Sequence, residues 1–402
     1  MSLCTLYGHF VYIPAAWVSL CSFTFYGCGR PQTANGQKPD TPLFLCVVVK
    51  VLLFFLVRFW VFGGHVCKGM KIAYVMKPDA CYNGNGDGTR KQAEIWCKEL
   101  QQRGHHVDMV HPWGNYAWKR YDIVHFFGFG LWNYEMIHWG SGMNPNIVFS
   151  PVIDSNTPLW KYRLFSRLGC ERLRLLSQNY AVRCYKDDVR LFLARTQYEA
   201  NYIRQYGIAE DKIGLVPLSF RADHYDASIE KEPFCLFVGT MTQERKNVAR
   251  LIAAAKKYRF HLVLAGSPGN AASEKKLRAM IAGAPNIELK GFVSDEELYA
   301  LYNRAKVFAL PSLNEGVGLV ALEAAVHGCN IVITRLGGPK EYYKEGSVWL
   351  VDPYSVDDIG TSVCLALQVD HLQPKLRDEI RKKYSVDCCV DLLIEQYNKI
   401  LG

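Results

Sequence analysis

PSLNEGVGLVALEAAVHGCNIVITRLGGPKE, Pro311 to Glu341, sets two glutamates, Glu315 and Glu323, eight positions apart around a Gly-x-Gly turn at Gly316 and Gly318, and a helical apolar pattern begins at Leu319. Glycines in such a turn let backbone N–H groups approach a ligand closely, and the helix that follows favours negative charge at its N-terminus. Gly316, Val317, Gly318 and Leu319 therefore suit a phosphate. The carboxylates cannot bind phosphate themselves, but an ionised acceptor bonds hydroxyls strongly, as on a sugar or a ribose. The stretch predicts a phosphate cradle flanked by two carboxylates that hold hydroxyls.

Outward from it, compact apolar runs alternate with helical patterns. FCLFVGT (234–240), HLVLAG (261–266), NIELKG (286–291), VFALPS (307–312) and NIVIT (330–334) read as strands, and a helix starts at Val248. Strand and helix at these intervals mean a parallel sheet with crossover helices. Arg245 and Lys246 follow the first of these strands, after Gly239 and Thr240. A surface Arg-Lys pair is usually only solvated. With an anion cradle expected on the same sheet edge, this pair is placed to neutralise a diphosphate and to stabilise its charge as a bond to it breaks.

The first half repeats the alternation. KIAYVM (71–76) is followed by a glycine-rich turn, NGNGDGTRK (83–91), and by a helix with the stripe Ala93, Trp96, Cys97 and Leu100 that ends at Gly104. HVDMV, DIVHFF (122–127), NIVFSPV (146–152) and the start of LFLARTQYEANYIRQYG (191–207) complete a doubly wound half. The turn lacks both dinucleotide and P-loop spacing. Gly86 and Gly88 are either a flexible connection or an acceptor or phosphate contact. His125 is either a satisfied core histidine or a ligand residue beyond a strand end. The fold expected is α/β: a hydrophobic segment 1–69, Rossmann-like domains at 70–225 and 226–385 facing each other across a cleft, and a final helix over 386–402.

With 402 residues, half of them hydrophobic, the chain can bury two cores. A formal charge of +9 is compatible with anionic substrates or an anionic membrane surface and far from a nucleic-acid footprint. The fourteen cysteines show no C-x-x-C pair and no zinc spacing, so those from Cys81 onward read as scattered thiols of a reducing compartment, with Cys388 and Cys389 as neighbours on a helix. Residues 1–69 carry five cations against Asp40 alone, and LFLCVVVKVLLFFLVRFWVF (43–62) is long enough to span a bilayer, at the cost of Lys50 and Arg58. Two readings compete there: a membrane anchor, or an upstream extension that is not part of the natural protein, with Met70 as its start. LWKYRLFSRLGCERLRLL (159–176) reads as a basic amphipathic helix, either a solvated face or a peripheral membrane contact.

FVGTMTQERKN, GFVSDEELYALYNRAKVFALPSLNEGVGLVALEAAVHGCNIVIT and GGPKE together resemble the retaining glycosyltransferases of the GT-B class typified by glycosyltransferase group 1, and Glu315 and Glu323 match that family's E-x(7)-E signature. The resemblance is strong from Phe234 to Asp352, weaker from Met70 to Ser219, and absent from 1–69. It implies the GT-B architecture, with a C-terminal helix (387–401) crossing back to the first domain. It also implies metal-independent transfer of a sugar, a hexose or deoxyhexose, from a nucleoside-diphosphate donor to a glycan or lipid-linked acceptor, with retention and no further cofactor. By correspondence Glu315 contacts sugar hydroxyls, Glu323 the ribose, Gly316 to Leu319 the phosphates, and Lys246 with Arg245 the diphosphate. The sequence has no D-x-D motif of the metal-dependent kind.

Two positions depart from the family pattern. Thr240 stands where many relatives have an arginine, and Asp154 stands where many have a histidine on the acceptor side. The expected location is cytoplasmic, at the cytosolic face of a membrane. A nucleotide-sugar enzyme without transfer, such as an epimerase, and a silent partner of glycan assembly are the alternatives.

Overall fold

The structure, a computed structural model, describes residues 69–78, 88–111, 113–344, 346–369 and 374–402. The segment 1–68 and Gly86 lie outside the described residues, and so does the 43–62 stretch.

Strands β1 (Lys71–Met76), β2 (His106–Met109), β3 (Ile123–Phe127), β4 (Ile147–Ser150), β5 (Leu191–Ala194) and β6 (Ile213–Leu215) form one sheet in the order β2-β1-β3-β4-β5-β6. Strands β7 (Glu232–Val238), β8 (His261–Ala265), β9 (Ile287–Gly291), β10 (Ala305–Leu310), β11 (Asn330–Thr334) and β12 (Trp349–Val351) form the second, in the order β12-β11-β10-β7-β8-β9. Neighbouring strands are parallel throughout. Every residue of β3, β4, β5 and β11 is buried, as helices on both faces of a parallel sheet require. Edge strand β9 alternates instead, with Glu288 and Lys290 paired on its open face.

In each sheet the chain reverses its direction of growth once, between β1 and β3 and between β7 and β10. Loops leaving the carboxyl ends of strands at such a point diverge to opposite faces and leave a crevice between them. In the second sheet these loops are Gly239–Asn247 and Pro311–Gly318, the two segments singled out in the sequence.

The helix Pro374–Tyr384 belongs to the second core through Leu376 and Ile380. Ser385 then caps a new helix, Val386–Leu401, by accepting from the Cys388 backbone N–H. Its Val390, Leu393, Tyr397 and Ile400 join Met70, Ile72, Trp96 and Leu100 in the core beneath the first sheet. The chain thus changes domain at one capping residue, and the GT-B arrangement expected from the resemblance is present. Cys389 is buried on this helix and Cys388 half-buried beside it.

The segment 159–176 corrects its sequence reading. It is not one helix but a short one, Leu159–Phe165, followed by a hairpin in which Cys170 and Leu175 exchange two backbone bonds of 3.0 Å. Ser166 turns its hydroxyl back onto the Arg163 carbonyl (2.7 Å), a local bond that competes with helix continuation. At Gly169 a Cβ would lie 2.3 Å from the Tyr180 ring, so the chain passes that ring without a side chain. Among the described residues no helix is long and apolar enough to cross a membrane.

Candidate active site

Beyond β7, Glu244–Lys246 make a single 3-10 turn, and Asn247 adopts a left-handed conformation (φ 58°) before the helix Val248–Tyr258. Asn247 is buried, and its amide donates to Pro311 O (2.9 Å) and Pro353 O (2.7 Å). A backbone bond from Leu313 N to Arg245 O (2.7 Å) joins the same two loops. These bonds fix Lys246 against the Pro311–Gly318 loop. Its Nζ donates to Glu315 Oε2 at 2.6 Å, Ser312 Oγ donates to the same oxygen at 3.2 Å, and Arg245 Nη1 stands 3.6 Å away. Among the described residues nothing bonds to Oε1. One carboxylate oxygen is therefore anchored by cations and the other is open to a hydroxyl.

Gly318 (φ 78°) precedes the helix Leu319–Val326, whose first turn holds no acidic residue. The left-handed turn brings the helix start to the cleft wall, and a helix start favours an anion. Gly316 is needed for another reason. Its φ is ordinary, but a Cβ there would stand 2.0 Å from Asp154 Oδ1 and 2.7 Å from Arg195 Nη1, both of the first domain.

The two domains enclose a cleft of about 970 Å³. Its second-domain wall holds Gly239, Thr240, Arg245, Lys246, Glu315, Val317, Gly318 and Leu319, and its first-domain wall holds Gly88, Thr89, Gln92, Trp96, Asp154 and Arg195. Polar bonds close one side of it. Asn156 Nδ2 donates to Leu313 O (2.6 Å) and Asn314 Nδ2 to Asp154 O (3.0 Å). Glu341 accepts from the backbone N–H groups of Gln197 (2.6 Å) and Tyr198 (2.7 Å), at the start of the helix Gln197–Arg204. Tyr342 bridges the domains, donating to Arg195 O and accepting from Leu218 N, each at 3.0 Å.

Arg195 is the first-domain residue that the sequence reading missed. Its Nε donates to Glu199 Oε2 (2.7 Å), and its Nη2 donates to Asp154 Oδ1 (2.9 Å) and Ile153 O (3.1 Å). Burial opposes its charge, but Glu199 and Asp154 outweigh that and hold it firmly cationic. Val152, two residues before Asp154 and also in the wall, adopts φ 58°, a conformation that β-branched residues rarely accept.

Two expected site residues do not reach the cleft wall. Glu323 is 1% exposed, and both its oxygens are taken by Arg221: Nε donates to Oε1, and Nη2 to Oε2 at 2.8 Å, with Tyr302 OH at 3.3 Å. A ribose could reach it only by displacing or sharing that guanidinium. His125 is fully buried, with Nδ1 bonded to Tyr397 OH (2.7 Å), Nε2 to Ser150 Oγ (2.8 Å) and its ring stacked on Phe127. Burial pushes its pKa down to about 3. It is a satisfied core histidine beneath Ser150, which does line the cleft. Among the described residues no three His, Cys, Asp or Glu side chains are grouped to hold a metal ion.

Residues 221–383 match the family model described as Glycosyl transferases group 1. An uncharacterized glycosyltransferase of Methanocaldococcus jannaschii is 30% identical over 168 residues, 39% of this chain and 43% of that protein. The O-antigen chain mannosyltransferase B of Escherichia coli is 27% identical over 206 residues, 46% of this chain and 53% of that one. The matches thus span about half the length of these curated relatives. Among solved structures, HepE of Anabaena in complex with UDP-glucose superposes with a TM-score of 0.62 at 15% identity, covering 82% of this chain and all of that one. At that identity the likeness shows the fold.

Proposed function

We propose that this chain is a retaining glycosyltransferase that moves a hexose from a nucleoside-diphosphate sugar to a glycan or lipid-linked acceptor, without a metal or a further cofactor. The observation that carries this reading is the Lys246–Glu315 pair at the β7/β10 crevice, beside the anion-favouring helix start at Gly318. The family match over 221–383 supports transfer, the mannosyltransferase relative supports a hexose and a glycan product, and the UDP-glucose held by HepE supports a nucleotide-sugar donor.

In this mechanism the diphosphate lies along Gly318–Leu319 with Lys246 and Arg245 beside it, and Glu315 Oε1 accepts from sugar hydroxyls. As the anomeric bond breaks, charge grows on the leaving phosphate, and cations already fixed by Glu315 stabilise it without reorganising. The acceptor hydroxyl enters from the first-domain wall, past Asp154, on the face the phosphate leaves, and the leaving phosphate takes its proton. The protein supplies position and charge rather than a strong base.

A membrane-surface acceptor is supported by the segment just beyond Asp154. Trp160, Leu164, Phe165, Leu168, Leu173 and Leu175 are exposed there, among Lys161, Arg163, Arg167, Arg172 and Arg174. This composition fits peripheral contact with an anionic leaflet, on the cytosolic face.

The test is a donor screen with the full chain, read as nucleoside-diphosphate release. Release in the presence of acceptor, lost in Glu315→Ala and Lys246→Ala, is the expected result. Release without any transferred sugar, or full turnover in both variants, overturns the proposal.

A further inference from the structure

Arg195 leaves the carboxyl end of β5 and precedes Thr196, the cap of the helix Gln197–Arg204. Its side chain is 10% exposed and forms part of the cleft wall. The edge of the guanidinium carrying Nε and one hydrogen of Nη2 faces Glu199, itself 2% exposed, and the rest of Nη2 faces Asp154 and Ile153 O. Among the described residues nothing bonds to Nη1. That nitrogen and Nη2 both stand against Gly316, 2.7 and 2.9 Å from where a Cβ would be.

A planar guanidinium held on two edges cannot turn to satisfy its third group. The N–H pair left over in such a fork still calls for an acceptor, from water or from a ligand. The cleft is where that acceptor enters. Gly316 directly follows Glu315, whose free Oε1 marks the sugar end of the donor in the function proposed above, and this inference rests on that reading.

We infer that Arg195 determines donor-sugar specificity: Nη1 donates to an acceptor oxygen on the transferred sugar, on the ring edge between Glu315 and Asp154. The contact needs an sp3 hydroxyl oxygen or a carboxylate at that edge. A sugar lacking the oxygen leaves the nitrogen unsatisfied and is disfavoured. Glu199 and Asp154 set the fork, so the specificity group comes from the first domain although the nucleotide is held by the second.

The experiment compares UDP with UDP-glucose, and GDP with GDP-mannose, by calorimetry on the full chain and on Arg195→Lys. Lysine can still pair with Glu199 and Asp154 but has no second nitrogen to present at Gly316. Affinity for the nucleoside diphosphate that binds should stay within about twofold, while affinity for the matching nucleotide sugar falls about tenfold, the size of one charge-assisted hydrogen bond. Arg195→Met combined with Glu199→Gln, which removes the buried carboxylate along with its partner, should give the same split with a thermal midpoint showing a folded chain. Nucleotide and nucleotide-sugar affinities that fall together, or both hold, in either folded variant overturn the inference. Wild-type chain that binds none of the four probes overturns the nucleotide-sugar reading itself, and the inference with it.

Discussion

Lys246 Nζ stands 2.6 Å from Glu315 Oε2, so the cation that follows β7 and the carboxylate that follows β10 neutralise each other across the switch point of the second sheet. Both side chains are largely buried, and removing Lys246 leaves Glu315 with only Ser312 and the more distant Arg245. Lys246→Ala should cost about 1–3 kcal/mol of stability and lower transfer by about 100-fold or more. Adding Glu315→Gln to Lys246→Ala should recover most of the stability and none of the transfer. Thermal unfolding and nucleoside-diphosphate release measure the two effects separately; parallel recovery of both would contradict the assigned roles.

Gly316 and Gly318 are two residues apart and glycine for different reasons. Gly316→Ala places a methyl 2.0 Å from Asp154 Oδ1 and must displace the Asp154 and Arg195 side chains of the first domain, whereas Gly318→Ala strains a φ of 78° within one domain. Gly316→Ala should therefore cost about 1–3 kcal/mol through overpacking, relieved in part by Asp154→Ala. Gly318→Ala should gain nothing from that second change. Denaturation of the four variants decides it, and equal response to Asp154→Ala at both sites would sink the distinction.

Much of this was legible locally. The strand periods, Glu315, Lys246 and the turn at Gly316–Leu319 rest on residues within one loop or one face, where spacing carries the information. Arg195, Glu341 and Arg221 were not, because the partners that place them at the site, Asp154, Gln197 and Glu323, lie 41, 144 and 102 positions away. His125 looked open at a strand end only until the C-terminal helix brought Tyr397 onto its ring. The 159–176 reading failed for a related reason: only Tyr162 and Ser166 of its first turns are buried, too little tertiary surface to hold a continuous helix.

Arg221 covers Glu323 with a two-point ion pair, and Glu323 is fully enclosed. Arg221→Ala strands a buried carboxylate and should cost about 3–5 kcal/mol. Combining it with Glu323→Gln should return most of this. If Glu323 acts only through this pair, the double variant keeps donor affinity. If a ribose shares the carboxylate with Arg221, donor affinity falls even after stability has returned. Calorimetry with the nucleoside diphosphate separates the two.

His125 binds its proton only near pH 3 in the folded chain, against an ordinary value of 6.5, because burial disfavours the charged ring. Between those values the unfolded state holds a proton that the folded state does not, so this contribution is complete above pH 6.5 and is lost as pH falls toward 3. The slope is about 1.4 kcal/mol per pH unit inside the window. His327 is shifted down by burial as well and acts in the same direction. Urea unfolding at pH 6.5 and 5.0 should show a loss of about 2 kcal/mol from His125. His125→Gln, though less stable throughout, should lose less on acidification; an unchanged slope would contradict the assignment.

The hairpin Cys170–Leu175 presents Leu173, 69% exposed, between Arg172 and Arg174, and Arg174 holds a left-handed φ of 54° that turns the tip outward. Trp160 and Leu168 are exposed in the same segment, and Glu171 is bonded to Tyr134 OH (2.7 Å). Apolar residues ringed by cations gain from an anionic bilayer in two ways, by burying the leucines and by charge attraction that salt screens. Co-sedimentation with phosphatidylglycerol vesicles should exceed that with phosphatidylcholine and fall as salt rises. Arg172→Glu with Arg174→Glu should remove the lipid preference, and Leu173→Ser should weaken binding to both vesicle types. Since none of these residues lines the cleft, nucleotide affinity should be unchanged in all three substitutions. Vesicle binding that survives both changes would place the membrane contact elsewhere on the chain.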